Sequence, residues 1–272
     1  MKKTNGNGRA VLVTGAAGGM GQAVTAALAG AGYRVFALDK KPVEKSPGVF
    51  PVTADLTDEE SVIRAAGEVG KETDTLFAVL HFAGIYLLDS LVEMDSERFS
   101  RIFRVNLFSC YLVNRAFLPF LRPGSRILIT TSELAPLDPL PFTGIYAVSK
   151  AALDKYAFSL RMELQLLDIS VSVLRAGAVR TGLLGASTRE LAHFCEKTEH
   201  YTFSAEKFRR VVDSVEAKSV PPEKIARKVQ KILKKRAPGF AYAVNRNPYL
   251  RLLHLLPKRL QCRIIRAVLR EK

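Results

Sequence analysis

Tyr146 and Lys150 stand four residues apart at the start of a helical pattern, which stacks them on one face, a turn apart. A phenol ordinarily ionises near pH ~10 and is a poor base at neutrality. An ammonium beside it favours the phenolate and is expected to bring that ionisation closer to working pH. Of the eight tyrosines, only Tyr146 has a lysine at this spacing. Ser132 follows the apolar run Ile127–Thr131, at the carboxyl end of a strand, where open α/β sheets bind ligands. Thr130 and Thr131 offer neighbouring hydroxyls.

Upstream, a first strand runs into Thr14-Gly-Ala-Ala-Gly-Gly-Met-Gly21 and then a helix of small residues. Gly15 permits a tight turn, and Gly19 and Gly21 let the backbone approach a pyrophosphate and the helix approach the sheet. Free N–H groups at the helix start would face the phosphates. No Gly-Lys-Ser/Thr follows, which speaks against an ATP or GTP loop. Asp39 ends the second strand, 18 residues beyond Gly21. A carboxylate there accepts hydrogen bonds from an adenosine ribose and repels a 2′-phosphate. The plainer alternative is a strand-terminal turn aspartate. NAD is favoured, and the adjacent Lys40 and Lys41 leave NADP open.

Positioning these groups takes a sheet. Short apolar runs at Arg9–Thr14, Arg34–Leu38, Val49–Thr53, Leu76–Phe82, Arg126–Thr131, Ile169–Leu174 and Phe240–Val244 read as strands buried on both faces. They alternate with helical stretches at Gly19–Ala31, Asp58–Thr73, Ser96–Leu121, Tyr146–Leu167 and Pro222–Lys235. Such alternation means parallel βαβ units in an α/β, doubly wound, Rossmann-like sheet. No repeat or low-complexity linker divides the chain, so one dinucleotide-binding catalytic domain is expected over residues 1–246. Residues Leu183–Ser219 form a long insert, and Asn247–Lys272 a helical extension broken by Pro257.

Taken in order, Gly15-x-x-x-Gly19-x-Gly21, Asn106, Ser132 and Tyr146-x-x-x-Lys150 resemble the short-chain dehydrogenase/reductase family over roughly residues 9 to 182, and more loosely beyond. The resemblance implies direct hydride transfer between NAD(H) and a secondary alcohol or ketone. Tyr146 is then the acid/base, Lys150 lowers its pKa and bonds the nicotinamide ribose, and Ser132 orients the substrate oxygen. Asn106 supports a water in a proton relay; otherwise it is a mid-helix polar residue. Gly15, Ala17, Gly18, Gly19, Met20 and Gly21 would cradle the dinucleotide with Asp39. Asp55-Leu56 would meet the adenine, Ala83 and Gly84 would pass close to the cofactor, and Val179 and Thr181 would hold the carboxamide.

Two stretches depart from the family pattern. His81 and Phe82 replace both asparagines of an Asn-Asn-Ala-Gly segment, and His81 is read as a packing histidine. Ala176 stands where the family usually has proline. The insert occupies the family's substrate-lid position. Its Leu183, Leu184, Leu191, Phe194, Tyr201 and Phe203 either line a pocket for a lipophilic, steroid-like molecule or pack on the body. Homo-oligomerisation is implied by the resemblance alone. The alternatives are an NADPH-dependent carbonyl reductase and a non-catalytic dinucleotide-binding sensor or scaffold. The intact Asn, Ser, Tyr and Lys set argues against the second.

The chain has 272 residues, 48% hydrophobic and 25% charged, as a globular protein does. Cys110, Cys195 and Cys262 lie far apart, without a Cys-x-x-Cys pair or histidines at ligand spacing, so nothing supports a metal site. That cysteine usage fits a reducing compartment. No signal peptide is recognised at the polar start, and no apolar run reaches the ~18 residues of a membrane span, so a cytoplasmic location is expected. The net charge of +15 is uneven: from Lys218 to Lys272 there are 16 Lys/Arg against Glu223 and Glu271. No nucleic-acid module accompanies that tail, so nucleic acid is not an expected partner. Leu253, Leu256, Leu260, Ile264 and Val268 recur at helical spacing, with Arg259, Arg263, Arg266 and Arg270 opposite. Burial of that apolar face on the protein's own body or a second subunit is preferred to contact with a membrane surface.

Overall fold

The apolar runs become seven strands in a computed structural model that describes residues 8–216 and 218–270, the side chains of 183, 184, 186, 187, 215 and 216 lying outside that description. They are β1 (Ala10–Thr14), β2 (Arg34–Asp39), β3 (Val49–Thr53), β4 (Ala78–His81), β5 (Arg126–Ser132), β6 (Ser170–Ala176) and β7 (Ala241–Val244). All neighbours pair in parallel, in the order β3-β2-β1-β4-β5-β6-β7. The winding reverses between β1 and β4, which leaves a crevice beyond their carboxyl ends.

Helices on both faces explain why the strands are apolar throughout. On one face, Val24 and Leu28 of α1 (Gly19–Ala29) pack with Ile225, Val229 and Ile232 of α8 (Pro222–Leu233) over Val11, Val13 and Leu80. Gln230 Nε2 donates to Ala27 O at 2.8 Å and fixes the pair. On the other, α2 (Glu59–Gly70), α4 (Ser109–Phe117) and α5 (Gly144–Leu164) cover Leu12, Val79 and Ile127 with Val69, Phe117 and Leu153. The Asp58 carboxylate accepts the Glu60 and Ser61 N–H groups, both at 3.2 Å, and so starts α2.

The helix expected over Ser96–Leu121 is divided. It runs as α3 (Ser96–Phe103), a wide π turn at Arg104–Phe108, then α4 and a short 3-10 turn at Leu118–Phe120. The π turn carries Asn106, whose side chain is drawn inward onto the Ile85 backbone. Wide turns of this kind gather at functional positions.

The insert folds as α6 (Gly182–Lys197) and α7 (Thr202–Glu216), and the extension as α9 (Pro248–His254) and α10 (Lys258–Leu269). Leu88, Phe142, Leu191, Phe194, Ala205, Phe208 and Leu269 make a satellite core that joins insert and extension to the body. Ion pairs fasten the insert: Arg98 meets Asp89 at 3.2 Å and Glu190 at 2.5 Å, and Lys197 meets Asp89 at 3.4 Å. Among the described residues no helix is long and apolar enough to cross a membrane.

One half of an expectation, burial of the tail's leucine row on the protein's own body, is corrected here. The Leu260, Ile264 and Val268 row does not bury on the body; all three are exposed, and Leu253 and Leu256 are only half-buried. Gln261, Ile265 and Leu269 turn inward instead. The cause is Asp138, in the loop after β5. It accepts Gln261 Nε2 at 3.0 Å, pairs with Lys258 and lies 2.9 Å from His254 Nδ1. These polar ties set α10 about 100° away from the rotation its leucine row asks for, one residue's step.

Candidate active site

The glycine loop is shaped by close approach. Gly15 has φ +67°, and a Cβ there would lie 2.4 Å from Ala83 N, so the ends of β1 and β4 touch. A Cβ at Gly21 would lie 2.1 Å from Gly15 O. Gly21 is therefore buried beneath the loop and serves packing rather than facing the groove. Gly19 abuts Thr181, whose Cβ would lie 2.9 Å from an added atom. No side chain caps α1 at Gly18, which leaves first-turn N–H groups available to an anion. The Ala17 N–H donates to Asp39 Oδ2 at 3.0 Å and the Lys41 N–H to Oδ1 at 2.9 Å, so Asp39 also ties the loop to β2.

Gly15, Gly18, Asp39, Asp55, Leu56, Ala83 and Gly84 line one cavity of about 470 Å3, together with Lys40, Arg101 and Arg104. Asp55 accepts the Thr57 hydroxyl at 2.7 Å and its amide at 2.9 Å, which holds its carboxyl below the usual range. A second cavity of about 340 Å3 holds Met20, Ser132, Tyr146, Lys150, Val179 and Thr181. Phe82, Gly84 and Ile85 belong to both. At Gly84 an added Cβ would come within 3.1 Å of Asn106 Oδ1 and 3.3 Å of Lys150 Nζ. A groove floored by glycine at one end and bearing a phenol at the other fits a nicotinamide dinucleotide.

Ser132, the last residue of β5, lines the same cavity as Tyr146 in the first turn of α5, and its hydroxyl draws the phenol's pKa down. Ser132 Oγ also accepts the Leu134 N–H at 3.2 Å. The Tyr146 ring packs on Tyr86, with centroids 4.3 Å apart. Lys150 Nζ lies 5.9 Å from the Tyr146 ring centre and donates to Thr130 O at 3.3 Å. Asn106 Oδ1 accepts the Ile85 N–H at 2.8 Å, while Nδ2 donates to Ile85 O at 3.0 Å and Ser149 Oγ at 3.1 Å.

Burial dominates the electrostatics of this cluster. It pushes Tyr146 up to about 12, with the Ser132 hydrogen bond pulling down and the Glu133 charge pushing further up. It also pushes Lys150 down to about 8. The expectation that Lys150 draws the phenol towards neutrality is thus corrected. The lysine is itself buried, and the loss of hydration is the largest influence on each of the two groups.

Several residues of the site were not legible beforehand. Glu133 lines the second cavity, and its Oε2 accepts the Asn247 N–H at 2.6 Å. Burial raises its pKa. Its one signal in the sequence was its place next to Ser132. The extension supplies Asn247, Tyr249 and Leu250 to the cavity wall, and α7 supplies Phe208, Val211 and Val212. The apolar insert residues singled out in the sequence lie elsewhere: Leu191 and Phe194 are in the satellite core with Tyr201 beside it, and Phe203 is exposed. The side chains of Leu183 and Leu184 fall outside the described residues. His81 is buried behind the site, with Nε2 2.9 Å from Asn114 Oδ1, and burial pushes its pKa down to about 4.

A doubly wound sheet with a glycine loop after β1, and serine, tyrosine and lysine gathered at the strands' carboxyl ends, defines an α/β oxidoreductase of the dinucleotide-binding class. Residues 9–192, more than half of the chain, match the short chain dehydrogenase family model, and the chain belongs to that family. It is 25% identical over 231 residues to a 3-ketodihydrosphingosine reductase of Bacteroides thetaiotaomicron, covering 85% of each protein. It is 35% identical over 179 residues to the uncharacterized oxidoreductase YbbO of Escherichia coli, covering 64% of this chain and 66% of that protein. With estradiol 17-beta-dehydrogenase 2 of Mus musculus it shares 32% identity over 192 residues, 65% of this chain and 50% of that protein. Among solved structures, the aldohexose dehydrogenase of Thermoplasma acidophilum superposes with a TM-score of 0.72 at 19% identity, over 89% of this chain and 96% of the other. The 3-ketoacyl-(acyl-carrier-protein) reductase of Brucella melitensis, complexed with NADH, gives 0.71 at 20% identity, over 87% and 96%. At those identities the structures speak for the fold.

Proposed function

We propose that this chain is an NAD-linked oxidoreductase that interconverts a lipophilic ketone and its secondary alcohol, with Ser132, Tyr146, Lys150 and Asn106 as its working residues. The observation that carries this reading is the gathering of Ser132, Tyr146 and Lys150 in one cavity walled by Phe82, Ile85, Leu134, Leu140 and Phe208. The names of two relatives, a 3-ketodihydrosphingosine reductase and an estradiol 17-beta-dehydrogenase, support an oxygen carried on a large apolar frame.

A bound nicotinamide would supply or accept the hydride. Ser132 hydrogen-bonds the substrate oxygen and holds it against the Tyr146 hydroxyl. In reduction Tyr146, protonated at neutral pH, gives its proton to the developing alkoxide; in oxidation the same oxygen takes it back. Lys150, poised near 8, carries the charge that stabilises the phenolate left on Tyr146. Asn106 holds Ile85 and Ser149 in place around the lysine.

Asp39 supports NAD, while Lys40 and Arg101 in the same cavity support NADP as a second reading. We read residues 1–246 as the catalytic domain, with 183–219 as its lid and 247–272 as its extension. Three free cysteines support a cytoplasmic setting. Exposed Phe108, Tyr111, Phe158 and Met162 on α4, α5 and the π turn support a homo-oligomer.

The test is titration of the purified protein with NADH and with NADPH by cofactor fluorescence, followed by assays on lipophilic ketones with the native chain and Tyr146→Phe. NADH is expected to bind the more tightly. The variant is expected to bind it unchanged while turnover falls ~10²–10⁴-fold. Tighter NADPH transfers the reading to NADP, binding of neither overturns it, and substantial turnover by Tyr146→Phe removes that residue's role.

A further inference from the structure

We infer that the carboxyl-terminal extension is a membrane-docking element, which lays the exposed apolar row of α10 and the leucines of α9 on an anionic bilayer. At about 100° per residue, α10 divides into three sectors. Gln261, Ile265 and Leu269 face the body. The next sector holds Leu260, Ile264 and Val268, which are 42%, 37% and 50% exposed. The third holds Arg259, Arg263, Arg266 and Arg270, all exposed. Leu252 on α9 and Leu255 just after it are 62% and 79% exposed. From Asn247 to Arg270 there are six Lys/Arg and no Asp or Glu.

A helix that has already buried one face, and keeps a second apolar face beside a cationic one, suits the boundary between hydrocarbon and negative charge. Charge decides between the candidate occupants. A second copy meeting this surface would set Arg259, Arg263 and Arg266 against their own equivalents, with no Asp or Glu between Asn247 and Arg270 to pair them. An anionic leaflet attracts each of those cations. Placement agrees. Asn247, Tyr249 and Leu250 of the extension line the cavity that holds Ser132 and Tyr146. α10 also packs on α7, where Lys207 Nζ donates to Arg270 O at 3.1 Å. Docking therefore brings the cavity's rim to the lipid surface, where lipophilic molecules concentrate. Among the described residues no helix is long and apolar enough to cross, so the extension lies on the bilayer rather than through it.

The chain has no tryptophan, so Ile264→Trp in the full-length protein creates a single reporter, and Val268→Trp a second. Ile63→Trp, on the exposed side of α2, is the control. Each is titrated with vesicles of phosphatidylcholine alone and of phosphatidylcholine with phosphatidylglycerol. The α10 reporters are expected to shift to shorter wavelength with the anionic vesicles only, and the control to stay still. Adding Arg263→Gln and Arg266→Gln to a reporter is expected to weaken binding roughly thirtyfold. A shift on concentrating the protein without lipid assigns the face to a second copy and overturns the inference. So does the absence of any shift from both α10 reporters, or an equal shift from the control. The readout is lipid contact, not turnover, and stands whether or not the substrate reading holds.

Discussion

Asn106 clasps both backbone groups of Ile85 with one side-chain amide, accepting its N–H at 2.8 Å and donating to its carbonyl at 3.0 Å. A third bond, to Ser149 Oγ at 3.1 Å, reaches the helix that bears Tyr146 and Lys150. The segment after β4 and the first turns of α5 are thereby held at one spacing, with Gly84 between them.

Asn106→Leu keeps the volume and removes all three bonds. Two backbone groups lose their partner in a buried setting, so unfolding should become easier by about 1–3 kcal/mol. Turnover should fall with little change in KM, because the residue holds others in place. Thermal unfolding and steady-state kinetics on the same preparation check this. Native stability in the variant would show that the clasp contributes nothing.

The pH profile of carbonyl reduction follows from the two shifted groups. Tyr146, held up to about 12, stays protonated across the working range. Lys150, pushed down to about 8, is charged below that pH and neutral above it. The value of kcat/KM should therefore be level below pH about 8 and fall above it, by roughly tenfold per pH unit where the charge is required. Lys150→Arg keeps its charge throughout and should lose that falling limb even if its rate is low. Native activity that climbs through this range would falsify the assignment.

His81 gives the fold a dependence on acid. Its folded pKa is about 4 against an ordinary value of 6.5, so between those values the unfolded chain binds more protons. Stability is present above pH 6.5 and is lost as pH falls towards 4, by at most about 3 kcal/mol from this group. His81→Asn, the residue the family carries there, should flatten that part of the curve. Chemical denaturation of both proteins at neutral and acid pH makes the comparison, and equal acid losses would move the cause to another group.

The sequence by itself determined the parts that depend on neighbours along the chain. Apolar runs buried on both faces specify parallel strands, small residues in the Gly15–Gly21 turn specify a close backbone approach, and a four-residue step puts Tyr146 and Lys150 on one helix face. Tertiary structure alone decided what depends on distant partners. Asn106 meets Ile85 across 21 residues, Glu133 meets Asn247 across 114, and Asp138 sets the rotation of α10 through Gln261 across 123. Periodicity carries no record of such contacts, and for that reason the leucine row it marks is not the face that α10 turns to the body. The protonation of Tyr146 and Lys150 belongs with them. Spacing brings a cation near a phenol, but the loss of water around both is a property of the assembled core, and here it is the largest influence on each.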